Sequence, residues 1–444
     1  MPTLGLSMIV RNEERSLRQC LESVSGIVQQ MVIADTGSSD GTREIAKSFG
    51  ATVLSIPWED HFAKARNAAL APITSDWVLV LDADEEVDAS AREKLPRMLQ
   101  AGGDVGGYLT PIRNYVSTRF GRGWDRAAVP NDHRHPRAEK SPAFFTHENC
   151  RLFRRNPEIY FVSRVHELVE YRVHELGLKL RPSEFCIHHF GQLSEEEFKK
   201  HKAARYHRLL QLKVEDQPND PAAWVQLGLE EYEGRKDAQQ ALLCFQKALA
   251  LEPRAAQAWF FTGMIQLELG DYKAALSAFD RARGDDNNRA MLAHLRGDAL
   301  HNLGQLDEAR TAYLRALDLI PDDPILMSKL GFTEVRANRV QTGLDRLRRA
   351  CVSAPDVAEI QERLMKAYIV IDNLPQAAEH AEIVAALENT PKWFLRAASV
   401  RLKLKQVDRA KEILRRAIER LPNVPELQDA LTGLGTARSA ADQS

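Results

Sequence analysis

Cysteine is scarce. The 444 residues hold five, Cys20, Cys150, Cys186, Cys244 and Cys351, scattered and odd in number, with no CxxC pair. Neither a disulfide framework nor a thiolate zinc site is indicated, so a reducing, cytoplasmic compartment is expected. Long apolar runs are missing too. None approaches the roughly 18 residues that span a bilayer, so no transmembrane segment is expected. The first residues reach Arg11, Glu13 and Glu14 too soon for a signal peptide. An excess of one charge is also absent. Lys and Arg total 60 against 62 Asp and Glu, a formal charge of -2, which gives no drive toward nucleic acid or an anionic membrane. Gly37 and Gly41 do not make a GxGxxG fingerprint, so a nicotinamide cofactor is unsupported. What is present is globular composition, 44% apolar and 27% charged, over a length that suits two or three domains.

The chain changes grammar near residue 192. Beyond it nearly everything has helical periodicity, and it repeats. Gly263, Gly297 and Gly331 are 34 residues apart, as are Ala275, Ala309, Gly343 and Ala377, and Phe279, Tyr313 and Leu347. Trp224 and Trp259 are 35 apart, so the first copy carries one extra residue. This region resembles tetratricopeptide (TPR) repeats. Small residues belong where the two helices of a repeat cross closely, and prolines such as Pro321 and Pro355 stop the second helix. The expected layout is a sheet domain over 1–192, a linker and docking helix over 193–220, about six repeats plus a capping helix over 221–438, and a tail over 439–444. The docking helix carries Phe198, Tyr206, Leu209, Leu210 and Val214. The groove of such an array suits a protein partner or an extended acceptor. The plainer alternative is that the array braces the enzyme or makes a homodimer.

Before residue 192, strand-like runs alternate with helices, which argues for an α/β domain with a mostly parallel sheet. Strands are expected at Leu4–Val10, Met31–Ala34, Ala51–Ser55 and Trp77–Leu81. Helices are expected from Asn12-Glu13-Glu14 through Val24, over Thr42–Phe49 with Asp40 as N-cap, and over Phe62–Leu70. Three strands end in polar motifs, Arg11-Asn12-Glu13, Asp35-Thr36-Gly37-Ser38 and Asp82-Ala83-Asp84. Ligands of such sheets bind beyond the carboxyl ends of the strands. Two carboxylates one residue apart on a stiff edge suit a hard divalent cation, although acidic pairs also cap helices.

Four motifs occur in order: Ser7–Glu14, Val32–Thr42, Trp58–Asn67 and Asp76–Glu85. Together they resemble the family 2 glycosyltransferases of the GT-A fold. Cys150–Arg154, Val165–Val169 and Ile187–Gly191 are similar to a subgroup in which TPR repeats often follow the catalytic domain. The resemblance implies a metal-dependent, hexosyltransferase-like enzyme using a nucleotide sugar, UDP-linked, by inverting single displacement. It further implies that Asp35 accepts from a uracil-type ring N–H, that Arg66 approaches the nucleotide or its diphosphate, and that Asp82 faces the ribose and the metal. Arg11 and Glu13 join the nucleotide-sugar set. Asp84 would ligate Mn2+ or Mg2+ directly, and His189 would close the metal site. His188 is the alternative, because adjacent residues of a strand point to opposite faces. Glu167 is the candidate base and His166 its companion, against the plainer reading of Glu167 as a surface partner of Arg164 or Arg172. The acceptor would be a peptide or protein side chain, a glycan or a lipid-linked sugar.

Residues 111–149 collect Arg113, Arg119, Arg122, Arg126, Arg134 and Arg137 with Trp124, Phe144, Phe145 and three histidines. They are expected to form an acceptor or lid loop, or else a solvated basic loop. His133-Arg134-His135 lacks the cysteine or carboxylate companions of a zinc site. The same residues speak against two further function classes. A binding scaffold with an inactive GT-A half is opposed by the intact Asp82, Asp84, Glu167 and His189. A sugar nucleotidyltransferase is opposed by Arg11-Asn12-Glu13-Glu14-Arg15, where a glycine-rich phosphate loop would stand.

Overall fold

A computed structural model describes the chain apart from residues 117–127, 192–195, 283–285 and 442–444, and apart from the side chains of 196–204, 286–288 and 435–441. Arg119, Arg122, Trp124 and Arg126 lie outside the described residues, as does the side chain of Phe198. Two compact units are present, Met1–Ala255 and Ala256–Ser444.

The first unit is built on one mixed sheet. Its elements are β1 (Leu4–Val10), α1 (Leu17–Val24), β2 (Gln30–Asp35), α2 (Thr42–Ser48), β3 (Thr52–Ser55), α3 (Phe62–Leu70), β4 (Trp77–Val80), β5 (Glu85–Val87), α4 (Ala91–Met98), β6 (Val105–Val116), β7 (Val129–Pro130), β8 (Ala143–Arg154), α5 (Glu170–Glu175), β9 (Lys179–Pro182), β10 (Ile187–His189), α6 (Glu196–Asp216), α7 (Pro221–Leu229) and α8 (Ala238–Leu251). The main strand order is β3-β2-β1-β4-β8-β6-β10-β5. The first four of these strands run parallel, β8 runs against both β4 and β6, and β10 is parallel to β6 and antiparallel to β5.

Alternation explains the layers. Leu4, Leu6, Met8 and Val10 of β1 face Leu17, Cys20, Leu21 and Val24 of α1 in one core. Val78 and Val80 of β4 point the other way, into a second core with Ala63 and Leu70 of α3. Burying each large aliphatic side chain contributes about 1.5–3 kcal/mol, so both faces of the sheet are firmly covered.

Two expectations are corrected. The first helix starts at Leu17 rather than at Asn12. Asn12 adopts φ 56°, its Oδ1 accepts from Ser39 N at 2.8 Å, and Glu14 Oε2 accepts from Gly41 N at 2.9 Å. Local side-chain bonds to the 38–42 loop outcompete the helix there. Residues 111–116 and 143–149 are not loop but the ends of β6 and β8, paired from Gly107↔Phe153 to Val116↔Ala143. Arg113 is held by Asp132 at 3.0 Å and stacks over Phe144, and Arg137 pairs with Glu86 and stacks over Phe190.

The helix α6 docks onto the sheet domain. Leu209, Leu210 and Val214 pack with Val165, Ala223 and Leu227, and with Trp58 and Phe62 at the margin. The buried Lys213 Nζ donates to Val165 O at 3.2 Å and to Gln226 Oε1 at 2.9 Å, which ties that loop to α6 and α7. The extra residue of the first repeat is absorbed by a π-helical turn at Glu230–Gly234, where one added residue widens the helix.

The second unit runs through α9 (Ala256–Glu268), α10 (Tyr272–Arg281), α11 (Asp286–Asn302), α12 (Leu306–Leu319), α13 (Pro324–Arg336), α14 (Val340–Ser353), α15 (Ala358–Val370), α16 (Leu374–Glu388), α17 (Pro391–Lys403), α18 (Val407–Arg420) and α19 (Pro425–Ala441). The small-residue spacing has a direct cause. A Cβ at Gly263 would sit 2.5 Å from the Phe279 ring, and one at Gly297 would sit 2.5 Å from the Tyr313 ring. In the next repeat Gly331 and Gly343 press backbone on backbone, a Cβ on Gly331 falling 2.7 Å from Gly343 O.

Candidate active site

A cleft of about 1140 Å³ opens beyond the carboxyl ends of β1 and β4. β1 lies between β2 and β4, so crossovers leave on both sides of it, and a crevice forms at such a reversal. Ile9 to Glu13 at the end of β1, and Val80, Asp82, Ala83 and Asp84 at the end of β4, line the cleft.

Its floor is an ionic chain. Arg66 projects from the second turn of α3, whose N-terminus is capped by His61 Nδ1 accepting from Lys64 N at 3.4 Å. Asn67 pins the same helix, donating to Phe161 O at 2.9 Å and accepting from Phe161 N at 2.8 Å. The buried Arg66 guanidinium donates Nε to Glu167 Oε1 at 2.5 Å and Nη2 to Asp82 Oδ1 at 2.7 Å. Arg151, from β8, donates Nη2 to Asp82 Oδ2 at 3.1 Å and to Glu85 Oε1 at 2.8 Å. Burial works to raise the Asp82 carboxyl, yet Arg66 and then Arg151 outweigh it and hold the group well below the usual carboxylate range. Burial raises Glu85, against the pull of Arg151 and with the added repulsion of Asp82. Arg66 Nη1 and Arg151 Nε are buried without a hydrogen-bond partner.

The rim carries a second pair. His189 Nε2 lies 3.3 Å from Asp84 Oδ2, and its Nδ1 is 2.7 Å from Asn114 Oδ1 on the neighbouring strand β6. Burial works against the charged imidazole, but the bond to Asp84 prevails and raises its pKa. Phe190 N donates to Asp84 O at 3.0 Å, which fastens the end of β10 to the Asp82–Asp84 turn. At Gly191 a Cβ would fall 2.2 Å from Asp84 Oδ2 and 2.7 Å from His189 Nε2, so the backbone comes this close because no side chain stands there.

The opposite wall is the segment from Ser163 to Glu167, closed at its base by the Val162–Leu168 bridge. Ser163 and His166 adopt φ 79° and 53°, left-handed values rare outside glycine and concentrated at functional sites. The Tyr206 hydroxyl of α6 bonds to His166 Nε2, and Arg205 of α6 stacks 4.2 Å over Trp58. Both α6 residues line the cleft.

The model of glycosyl transferase family 2 matches residues 6–159, and three tetratricopeptide models match 225–290, 297–334 and 394–423. A TPR repeat-containing protein of Synechococcus elongatus is 30% identical over 315 residues, 68% of this chain and 69% of that protein. The chain is a family 2 glycosyltransferase with tetratricopeptide repeats. The lipopolysaccharide core biosynthesis glycosyltransferase LpsC of Rhizobium meliloti is 33% identical over 38% of this chain and 57% of its own length. The SPbeta prophage-derived glycosyltransferase SunS of Bacillus subtilis is 29% identical over 22% of this chain and 24% of its own length.

Of this glycosyltransferase's expected site residues, Arg11, Glu13, Arg66, Asp82, Asp84, His166, Glu167 and His189 all line the cleft. Asp35 does not. It is buried beneath Thr36, accepting from Arg43 Nε at 2.7 Å and Ser38 N at 3.1 Å. Burial opposes its charge, but the Ser38 bonds and Arg43 together keep its carboxyl below the usual range. Glu167 is not a partner of Arg164 or Arg172. Arg164 binds Asp216, Arg172 binds Glu175, and Glu167 binds Arg66. His188 is turned to the far face of its strand, bonded to Tyr115 and Asp88. Arg151 and Tyr206 line the cleft without having been expected there, and Glu85 and Asn114 stand behind it, bonded to Arg151 and His189. Arg151 and Glu85 stood inside the motifs, but nothing along the chain says that a strand-interior arginine reaches an aspartate on another strand.

No helix among the described residues is long and apolar enough to cross a membrane.

Proposed function

We propose that the protein transfers a glycosyl group from a nucleotide sugar, UDP-linked, to an acceptor on a glycan or peptide, with inversion and with Mn2+ or Mg2+ bound by Asp84 and His189. The observation that carries this reading is the Asp84–His189 pair at 3.3 Å beside two buried guanidiniums with unpartnered N–H groups. Carboxylate and imidazole donors suit such a cation, and the space that Gly191 leaves keeps them side by side. The bound cation supplies a Lewis acid against the departing diphosphate. Asp82 acts through Arg66 and Arg151, since a guanidinium already meets each of its oxygens.

Arg66 and Arg151 stabilise the negative charge that grows on the leaving phosphate oxygens, fixed in place before the reaction and shielded from water. Glu167 accepts the acceptor's proton, and His166, held by Tyr206, orients the acceptor. Arg11 and Glu13 hold the nucleotide at the end of β1, and Asp35 supports the base-binding loop from below. The likeness to LpsC, a glycosyltransferase of lipopolysaccharide core biosynthesis, supports a glycan acceptor. The tetratricopeptide unit supports a protein or peptide partner.

The test is thermal unfolding with a panel of nucleotide sugars, each with and without Mn2+. A donor at a hundred times its Kd stabilises the folded state by about 2.7 kcal/mol. The expected result is a metal-dependent rise in Tm with a UDP-sugar, plus slow donor hydrolysis, both lost in Asp84→Ala. A panel with no shift and no hydrolysis would leave a binding scaffold as the better reading.

A further inference from the structure

The strand that brings His189 to the cleft turns His188 to the other side of the sheet. Alternation puts more than a histidine there. Cys186 is two residues before His188 and shares its face. Across the antiparallel ladder His188 faces Glu86, and one step on, Asp88 N donates to Cys186 O at 3.0 Å, so Asp88 stands opposite Cys186 on that same face. The three donor atoms of Asp88, Cys186 and His188 lie within 4.8 Å of one another. His188 Nε2 is 3.3 Å from Asp88 Oδ2 and 3.9 Å from Cys186 Sγ. A tetrahedral zinc ion with ordinary bond lengths needs donor separations of about 3.3–3.6 Å. Of the three edges, His188–Asp88 meets this, His188–Cys186 is a few tenths of an ångström long, and Asp88–Cys186 lies within 4.8 Å, so the donors close in slightly on the ion.

The surroundings fit an ion as well. His188 Nδ1 is 2.8 Å from the buried Tyr115 hydroxyl, the kind of outer hydrogen bond that fixes a ligating imidazole with Nε2 toward the metal. Asp88 Oδ1 is occupied by Ser90 N at 2.9 Å, which leaves Oδ2 facing the histidine. The ring of His135 lies 4.5 Å from that of His188, and its buried Nδ1 has no hydrogen-bond partner. The nearby cation Arg113 is already neutralised by Asp132 at 3.0 Å. One carboxylate and one thiolate would balance a dication.

We propose that Asp88, Cys186 and His188 form a second metal site, for Zn2+ or a similar borderline transition ion, on the reverse face of the strand that serves the catalytic cleft. Binding releases the thiol proton to solvent and involves no redox change. The ion would staple β5 to β10, and so hold the Asp82–Asp84 turn against His189.

The test loads the metal-stripped full chain with Co2+ and follows its absorption. The expected result is a sulfur-to-cobalt charge-transfer band in the near ultraviolet that saturates at one equivalent and is displaced by Zn2+. The band should vanish in Cys186→Ser and persist in Asp84→Ala, which separates this site from the catalytic one. Tyr115→Phe should weaken cobalt binding roughly ten- to hundredfold. Absence of the band in the wild-type protein overturns the proposal whether or not Cys186→Ser folds. So does a band that survives Cys186→Ser or is lost in Asp84→Ala.

Discussion

Adding one methyl group at Gly191 should pull apart Asp84 and His189, the proposed metal ligands, while leaving the fold intact. The new Cβ of Gly191→Ala would begin 2.2 Å from Asp84 Oδ2 and 2.7 Å from His189 Nε2. An ordinary carbon–oxygen contact is about 3.2 Å, so the carboxylate must retreat by about 1 Å or the backbone must give way. The cheaper response is rotation of the Asp84 side chain, which is partly exposed, because Phe190 N to Asp84 O at 3.0 Å holds the main chain. That rotation separates Asp84 from His189. A displacement of about 1 Å in a catalytic group costs on the order of a hundredfold in rate. The assay is turnover of the donor found by thermal shift, with Mn2+ titrated, beside the Tm of each protein. Expected are a hundredfold loss of kcat/KM, weaker activation by Mn2+, and a stability change within about 1 kcal/mol. Activity and Mn2+ dependence within twofold of wild type would refute the claim that this backbone approach positions the pair.

Three further outcomes follow from the same geometry. Arg66→Ala leaves the partly buried Glu167 and Asp82 without their shared cation, and should cost about 3 kcal/mol in urea unfolding; Arg66→Lys should recover only part of it, since one ammonium cannot reproduce the planar fork. His301 is pushed down to about 4, first by burial and then by Arg336, whose Nη1 donates to its Nε2 at 2.8 Å. The unfolded chain therefore binds the proton first, so stability from this group is full above pH 6.5 and is lost as pH falls toward 4. The loss is on the order of 2 kcal/mol, and Tm against pH for His301→Gln should be flatter across that window. Gly297→Ala drives a methyl into the Tyr313 ring and should destabilise the second unit by about 1–3 kcal/mol by calorimetry, whereas an unchanged transition would show that the ring has room to turn.

Much of this molecule is local. Alternation in Leu4–Val10 and Trp77–Val80 marks strands because each side of the sheet has its own apolar core. The glycines 34 residues apart are needed wherever an aromatic ring of the paired helix arrives, and the odd spacing of 35 reappears as a π-helical turn. The family match also rests on short contiguous motifs, as does the clustering of their residues at the ends of β1 and β4.

What stayed hidden depends on partners distant in the chain. The segment Asn12-Glu13-Glu14 reads as a helix start by composition, but the loop at 38–42 captures its side chains first. Glu167 reads as a candidate base or, more plainly, as a surface partner of Arg164 or Arg172, and neither reading points to its bond with Arg66, 101 positions away. The choice between His188 and His189 cannot be made along the chain either, because a strand offers both faces equally. It is made by Asn114 on one side and Tyr115 on the other, adjacent residues of β6 that sort the two imidazoles. Periodicity and sterics act over a few residues and can be read from order alone. Ion pairs and hydrogen bonds choose among whatever the folded backbone brings near, so their pattern exists only once the sheet has closed.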